Sequence, residues 1–594
     1  MIKRDKQKAK DGQVKTYIRV VEGYRPSPDQ PPKQRTIKSF GYLEDQPDPI
    51  AFMRMVEAFD ANPENREHAS SVKMYSGENI TQNYGYKFLE AVYQNLGISE
   101  FISSYLKKKR FRGDYSIEEI FKYLVINRML NPDSNRASVQ RQNAFYGWKP
   151  ELELPDVYRA MDYMSDFSTA LQLHLDKSIK TMIGRDLKYA FYDVTNYFFE
   201  IDFPDADGEL RKRGVSKEHR VDPIVQMGLF IDSNGLPVSM SLFPGNTSDT
   251  KTLQPVMKEL KKEYKLEKLI VVADKGLNSS ANIDYICQNG DGYVVSQVLR
   301  GTKGKRYHEV MFDDSGYVVN KDGTYKYKLF TETYTGLDKD KCKETRQRQT
   351  LIYWSKAEAD MSKRKREEKL SLADRASRNN AYGIKKGVQE YTKEILVDKE
   401  SGEILDNTRK ISAVDYEKAE KDAMFDGYFC LITSEMDYDA SKIREVYSGL
   451  WKIEESFRIL KSELDARPVH VSTKKHIQAH FLICFVALLI LRMIQHSMGK
   501  EALSSERIVR ALNAANCKIR RGGYVDCDDV GGSMAFVKRK NKKGELVDTL
   551  MFSAQDEIAQ DYQLIQKTFG TDFYEVECKQ ETFTRFIKKI TYTV

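Results

Sequence analysis

Three carboxylates in this chain stand out by position. Asp193 lies inside the run LKYAFYDVTNYFFEI, flanked by Phe191, Tyr192 and Val194. The aromatic and β-branched residues of that run predict a strand, and an acid in the middle of one is disfavoured unless it is paired or bound to a metal. Asp274 closes the apolar run LIVVAD, at the kind of strand end where α/β folds place their ligands. Either aspartate alone reads equally well as a turn or cap residue; their joint placement on two neighbouring predicted strands weakens that reading. The third acid belongs to YSGLWKIEESFRILKSEL. Seven residues are almost two helical turns, so Tyr447, Glu454 and Lys461 share one helix stripe, with Leu450 on the same side. A stripe carrying a phenol, a carboxylate and an amine suits a site for metal and phosphate; the bland alternative is a solvated charge pattern. Glu455 is adjacent but points about 100° away from that stripe.

The elements that must position these groups follow in order. After the Asp193 strand come IVQMGLFID and LPVSMSLFPGN, separated by Ser233-Asn234-Gly235, which suits a hairpin turn. Thr247, Ser248 and Asp249 open an amphipathic helix with side chains suited to N-capping. LEKLIVVAD and GYVVSQVL are further strands. Three antiparallel-compatible strands, a helix and more strands are the order of a ribonuclease H-like core. The stretch from about 300 to 425 interrupts it, mixing short strands with the charged run KAEADMSKRKREEKLSLADRASRN, and is too long for a loop. It is expected to form a separate lobe outside the catalytic sheet. DGYFCLITSE returns to the sheet, and one long helix is predicted from about Ala440 to Leu464.

Upstream, residues 14–44 predict two strands around the Pro-rich turn PSPDQPP, and 80–186 is helical by its three-to-four spacing of apolar residues. That helical region carries Lys107, Lys108, Lys109 and Arg110, and further on Arg136 and Arg141. They read either as a DNA-binding surface or as solvated helix faces. The expected organisation is a multidomain α/β chain: an N-terminal β-unit (1–79), a helical DNA-binding domain (80–186), a core in two parts (187–299 and 426–499), a β-rich insertion domain (300–425) and a C-terminal domain (500–594).

Composition bounds the function. The chain has 594 residues, enough for several domains, with 41% hydrophobic residues and a net charge of +8, a modest bias toward polyanions. Seven scattered cysteines without a CxxC pair argue against a disulfide framework or zinc site and fit a reducing cytoplasm. The N-terminus MIKRDKQKAKDGQ has no apolar segment behind it and does not read as a signal peptide. The apolar run Phe481 to Leu491 is too short to span a bilayer and reads as a buried helix, so no membrane association is expected.

Together these segments resemble the DDE transposases of bacterial insertion sequences, in the YREK-signature group (insertion-sequence family four and its relatives). The signature, Tyr, two residues, Arg, three residues, Glu, six residues, Lys, falls on Tyr447, Leu450, Glu454 and Lys461. YDVTNYFFE, LFPGNTSD, VVADKGLNS and FRILKSELDARPV extend the likeness over roughly 190 to 495. The resemblance implies a ribonuclease H-like fold with Asp193, Asp274 and Glu454 as catalytic triad, holding two Mg²⁺ or Mn²⁺ ions. It implies DNA contacts from Tyr447, Lys461 and Trp451, the last against distorted bases. The implied partners are double-stranded DNA, both transposon-end inverted repeats and target, and a second copy of the chain. Leu450 departs from the signature arginine, which removes a phosphate contact and puts a hairpin intermediate in doubt; Lys452 and Arg458 are nearby charges at other positions on the helix. A nuclease without strand transfer and a catalytically silent DNA-binding protein are the alternatives; the intact carboxylates oppose the second. Of the weaker features, His476 and His480 lack the glutamate of an HExxH zinc helix. SKRKREEK reads equally as a DNA contact or an exposed mixed-charge helix, Trp354 reads as core, and the RRGG at Arg520 as a turn.

Overall fold

A computed structural model describes residues 2–8, 14–24, 33–46, 48–61, 81–148, 150–206, 208–216, 221–302, 304–378, 390–396, 410–520, 523–528, 530, 532–540, 546–554 and 556–593. The chain divides into two compact units, one of residues 1–81 with 518–526 and one of 82–517 with 527–594. In the first, β1 (Ile2–Lys8), β2 (Val14–Tyr24) and β3 (Lys33–Tyr42) form an antiparallel sheet in sequence order, followed by helix α1 (Pro49–Ala61). Ile18, Val20, Phe52 and Val56 are its buried core. The basic N-terminus is therefore a third strand, which its charge concealed: only Ile2 on it is strongly apolar. The PSPDQPP turn lies outside the described residues.

The second unit is built on a nine-stranded sheet. Its first five strands in sequence are β5 (Tyr189–Phe198), β6 (Ile224–Ile231), β7 (Pro237–Pro244), β8 (Ile270–Ala273) and β9 (Gly292–Ser296); β4 (Gln82–Asn83) lies elsewhere. They lie side by side in the order β7-β6-β5-β8-β9. The first three are antiparallel, and β5, β8 and β9 are parallel. This is the order expected of a ribonuclease H-like core. The β6–β7 turn is fixed from inside. Asp232 Oδ1 accepts from the amides of Asn234 and Leu236, both at 2.9 Å, and Gly235 takes a φ of 84° that a side chain would strain. Helices α7 (Leu253–Tyr264) and α8 (Ser280–Gln288) cover one face, where Tyr192, Val194, Val271, Ala273 and Val295 join one apolar cluster. Ser248 and Thr252 make no side-chain cap; a short 3-10 turn, Asp249–Lys251, leads into α7 instead.

The expectation of a separate lobe from 300 to 425 is corrected here. After helix α9 (Lys305–Phe312) come the two-residue β10 (Val318–Val319), then β11 (Tyr325–Leu337) and β12 (Lys343–Ser355). These extend the catalytic sheet: β12 pairs with β15 (Tyr428–Thr433) through Leu351↔Leu431, and β15 pairs with β9 through Leu431↔Ser296. The alternation that identified short strands was visible, but partner choice depends on the apolar face. Ile352, Cys430 and Ile432 bury into the cluster that holds Val295. Among the described residues of this stretch, α10 (Lys356–Arg378), the antiparallel pair β13–β14 (Thr392–Leu396, Lys410–Val414) and α11 (Tyr416–Ala423) stand outside that sheet.

The region 80–186 is helical as expected: α2 (Tyr86–Asn95), α3 (Ile98–Lys108), α4 (Ile117–Leu130), α5 (Asn135–Gln140) and α6 (Leu154–Ile183). It is not a free-standing domain. Its helices α4 and α6 pack on α14 (Lys474–Met498), which follows α12 (Ala440–Ser448) and α13 (Trp451–Lys461). α14 is long and apolar enough to cross a membrane, yet 94% of its apolar window is buried inside the protein. Of the C-terminal helices α15 (Ser505–Ala514), α16 (Glu557–Thr568) and α17 (Gln580–Lys589), α15 packs on α14 and α4, and α16 packs on α15. Asn83 Nδ2 donates to the carbonyls of Leu512 at 2.8 Å and Ala515 at 3.1 Å, and Phe583 and Phe586 pack edge-on against Tyr84. Residues 80–186 and much of 500–594 thus share one core, a pairing of distant segments that no local pattern encodes.

Arg185, beyond the end of α6, fastens this helical layer to the sheet. Its Nε donates to Asp232 Oδ2 at 2.8 Å and its Nη2 to the carbonyl of Pro237 at 2.8 Å; both charged side chains are 1% exposed. Burial holds the Asp232 carboxyl above its ordinary range despite the guanidinium. Arg185→Met is expected to cost about 3–5 kcal/mol, since it strands a buried carboxylate. Because the folded-state pKa of that carboxyl is raised, the cost is present at neutral pH and shrinks as pH falls and the group takes up a proton. Denaturant unfolding at pH 7 and pH 5 checks both the size and the sign.

Candidate active site

The pairing of β5 with β8 sets the site. Phe191 is in register with Val272 where this parallel pairing ends, and Asp193 on β5 and Asp274, just beyond the end of β8, each follow two residues later. Side chains alternate along a strand. Tyr192 and Val194, with Val271 and Ala273, face the apolar cluster; Asp193 and Asp274 therefore share the opposite face. Both are partly buried. Asp274 Oδ1 accepts a hydrogen bond from Ser296 Oγ at 2.8 Å and from the Tyr447 hydroxyl at 3.4 Å. Burial, with the nearby Asp274 charge, pushes the Tyr447 phenol well above its ordinary value, so it remains a neutral donor.

The third acid arrives on a helix that the sequence read as continuous from Ala440 to Leu464. It is broken: α12 ends at Ser448, α13 begins at Trp451, and tight turns bridge them, Gly449 N to Val446 O at 3.2 Å and Leu450 N to Tyr447 O at 3.0 Å. The joint is pressed onto β5. A Cβ on Gly449 would lie 2.5 Å from Phe191 Cζ, so the approach requires glycine. At the other end of α13, Lys461 Nζ lies 5.7 Å from the centre of the Tyr197 ring, also on β5. From Gly449 to Lys461 is ~18 Å along a helix at 1.5 Å per residue; from Phe191 to Tyr197 is ~20 Å along a strand. Glu454 lies between these two anchors.

Glu454 is exposed while Ile453 and Phe457 beside it are buried. Glu455 is engaged elsewhere, accepting from Arg492 Nη1 of α14 at 2.8 Å. Arg492 also donates to Lys452 O and Ser456 Oγ, each at 3.0 Å, so it clamps α13 to α14. The structure thus brings Asp193, Asp274 and Tyr447 to one face and sets Glu454 on the helix running along it. It does not gather the three acids: among the described residues no group of three His, Cys, Asp or Glu side chains forms a metal cluster. Like charges without a counter-ion repel. The donors are carboxylate oxygens, which fit a hard divalent cation such as Mg²⁺ or Mn²⁺.

Trp451 is 57% exposed, three residues before Glu454 and so near its face. Neither charge near Leu450 replaces the signature arginine. Lys452 is drawn against the β6–β7 turn, donating to Ser233 O, with burial lowering its pKa. Arg458 pairs with Glu463 at 2.8 Å. Lys107, Lys108, Lys109, Arg110, Arg136 and Arg141 are all exposed on the helical layer. Arg141 pairs with Asp133 at 3.3 Å and Lys109 lies 5.6 Å from the Tyr105 ring centre; the other four form no ion pair with a described residue. His480 is buried and its pKa is lowered to about 3 by burial, and His476 stacks on Tyr158, so these two histidines serve packing. Trp354, partly buried, donates to Asp426 O at 3.0 Å. Ser296 was not singled out from sequence; a serine at a strand end gives no local signal.

Residues 205–490 match the family described as Transposase DDE domain, and residues 2–68 match the IS1634 family transposase, N-terminal domain. Asp274 and Glu454 lie inside the first match and Asp193 just before it. No curated protein matches the chain by sequence. Among solved structures the chain is similar to the Mos1 transposase paired-end complex with left transposon end, at 13% identity over 42% of this chain and 68% of that one, with a TM-score of 0.14. It is also similar to a pre-cleavage Mos1 transpososome, at 12% identity over 42% and 68%, with a TM-score of 0.14. At such TM-scores the family matches, not the structural likeness, carry the identification.

The Gly449–Phe191 contact is testable without any assay of function. Gly449→Ala is expected to cost about 1–3 kcal/mol by overpacking. Phe191→Leu removes the ring atoms in the way, so the double variant should be more stable than the sum of the single changes implies. Additive losses in thermal or denaturant unfolding would show that the helix joint does not rest on Phe191.

Proposed function

We propose that this chain, a DDE transposase of an insertion sequence, binds the inverted repeats at its transposon ends as a dimer and carries out metal-dependent cleavage and strand transfer, with Asp193, Asp274 and Glu454 as the catalytic acids. The observation that carries the reading is the register of β5 and β8, which supports Asp193 and Asp274 sharing one face, with Glu454 on a helix that packs on β5. The engagement of Glu455 by Arg492 supports Glu454 as the third acid. Two Mg²⁺ or Mn²⁺ ions would be held by these three carboxylates. When bound, such ions lower the pKa of an attacking water or 3′-hydroxyl and neutralise charge on the leaving oxygen.

The remaining residues position DNA. Trp451, exposed beside Glu454, offers a ring for an unstacked base, and Lys461 at the far end of α13 offers a cation to the backbone. Lys107, Lys108, Arg110 and Arg136, exposed and without an ion pair to a described residue, suit phosphate contacts that release counterions, with Lys109 and Arg141 beside them. Tyr447 is better read as a partner of Asp274 than as a backbone contact, because its hydroxyl faces that carboxylate. The N-terminal match names the IS1634 family, so kinship with the YREK group rests on Tyr447, Glu454 and Lys461 alone. With Leu450 buried at the arginine position, and Lys452 and Arg458 both engaged, a route through a hairpin has little support. We place the reaction on double-stranded DNA in the cytoplasm.

Asp193→Asn, Asp274→Asn and Glu454→Gln should each abolish cleavage of a labelled transposon-end duplex in Mg²⁺ while leaving duplex binding intact, because phosphate contacts come from lysines and arginines elsewhere. Strand-transfer products from the wild type separate a transposase from a nuclease. Near-normal cleavage by any of the three variants would remove that residue from the triad. Trp451→Ala should slow cleavage about 5- to 150-fold with little change in end binding, in keeping with about 1–3 kcal/mol for stacking on one base. An equal loss in binding and cleavage would assign the ring to general affinity instead.

A further inference from the structure

We infer that Ser296, with Tyr447, is a positioning residue for Asp274: the two hydroxyls hold one carboxylate oxygen so that the other is presented to a divalent ion. The inference rests on the reading of Asp274 as a metal ligand. Ser296 is the last residue of β9, and β9 lies parallel to β8 with Ala273 opposite Val295. Ser296 is therefore level with Asp274 and on the same face. It is 8% exposed, and its hydroxyl lies 2.8 Å from Asp274 Oδ1. The Tyr447 hydroxyl, on α12, reaches the same oxygen at 3.4 Å.

Both donors fall on Oδ1, so among the described residues the carboxylate is held by one oxygen. Such an arrangement fixes its χ2 and leaves the Oδ2 lone pairs to a ligand. A carboxylate in water or on a free strand end rotates about χ2 over a broad, two-fold well, and a metal must first stop that rotation. Hydrogen bonds that orient a ligand in advance are typically worth about 10- to 100-fold in metal affinity. The serine is itself held in place. Asn278 Nδ2 donates to Ser296 O at 2.9 Å and to Gln297 Oε1 at 2.9 Å, tying the segment after β9 to the loop after Asp274. The three groups come from β8, β9 and α12, so the arrangement links the two strand ends to the helix that leads to Glu454.

The test measures Mn²⁺ binding to the full-length, DNA-free protein by electron paramagnetic resonance, alongside the Mg²⁺ dependence of duplex cleavage. Ser296→Ala should weaken Mn²⁺ about 10-fold or more and raise the half-saturating Mg²⁺ equally, with the maximal rate at saturating ion largely kept. Ser296→Thr, which retains the hydroxyl, should stay near wild type, and Tyr447→Phe should weaken binding in the same direction. Asp274→Asn is the control for the underlying reading: Mn²⁺ affinity unchanged in that variant would remove Asp274 as a ligand and the inference with it. If Asp274→Asn loses the ion while Ser296→Ala and Tyr447→Phe both bind it as the wild type does, Asp274 stands and the positioning role falls. Should Ser296→Ala fail to fold, Tyr447→Phe decides by the same measure.

Discussion

The structure turns on a register. Strand β5 meets β8 in parallel with Phe191 opposite Val272, and every feature of the site depends on that alignment. A slip of one residue would send one aspartate to the face covered by α7 and α8, among Tyr192, Val194, Val271 and Ala273, where a bare carboxylate cannot be accommodated. The register is protected by what it buries. The residues on the apolar face fit only one way, so the burial that holds the sheet also levels the two acids. Packing and chemistry are set by the same alternation, one face each.

The facing helices carry a second constraint. α13 must lie close enough to β5 for Glu454 to approach Asp193, and two contacts decide how close. Gly449 has no Cβ to keep the joint away from Phe191, and Arg492 holds the other side of α13 through Glu455, Lys452 O and Ser456. The adjacent acids Glu454 and Glu455 thus have separate work: one is fixed by a guanidinium, the other is left exposed. The clamp, the buried Arg185–Asp232 pair and the apolar helix α14 hold the surrounding layers in place.

The segment between Asp274 and Glu454 is not a simple appendage. Its first hairpin widens the catalytic sheet from β15 outward, so that the site sits within a broad, continuous surface rather than at the edge of a small core. Among the described residues α10, the β13–β14 pair and α11 depart from it. In the same way the helical segment before β5 and the helices after α14 form one layer, through Asn83, Tyr84 and their partners near residues 512–515 and 583–586. Segments named separately along the chain are joined in space wherever an apolar face needed a cover.

What the sequence by itself determined is the local content. Strand runs around Asp193 and Asp274, the hairpin at Ser233–Gly235, the helical texture of 80–186 and the seven-residue spacing of Tyr447, Glu454 and Lys461 all follow from periodicity and residue type, which act over a few residues. The tertiary structure alone decided which strands became neighbours, that β11 and β12 join the sheet, that the helix breaks at Gly449 and that Ser296 and Tyr447 meet on Asp274. The break illustrates the reason. Nothing in YSGLWKIEE forbids a continuous helix except one glycine, and glycine is tolerated in helices at a cost of about 1 kcal/mol. At the joint Gly449 lies against Phe191, more than 250 residues earlier in the chain, and a close-packed interior sets such contacts by fit between distant surfaces. Ser296 is the same case: a serine at a strand end carries no signal until the fold sets a carboxylate beside it.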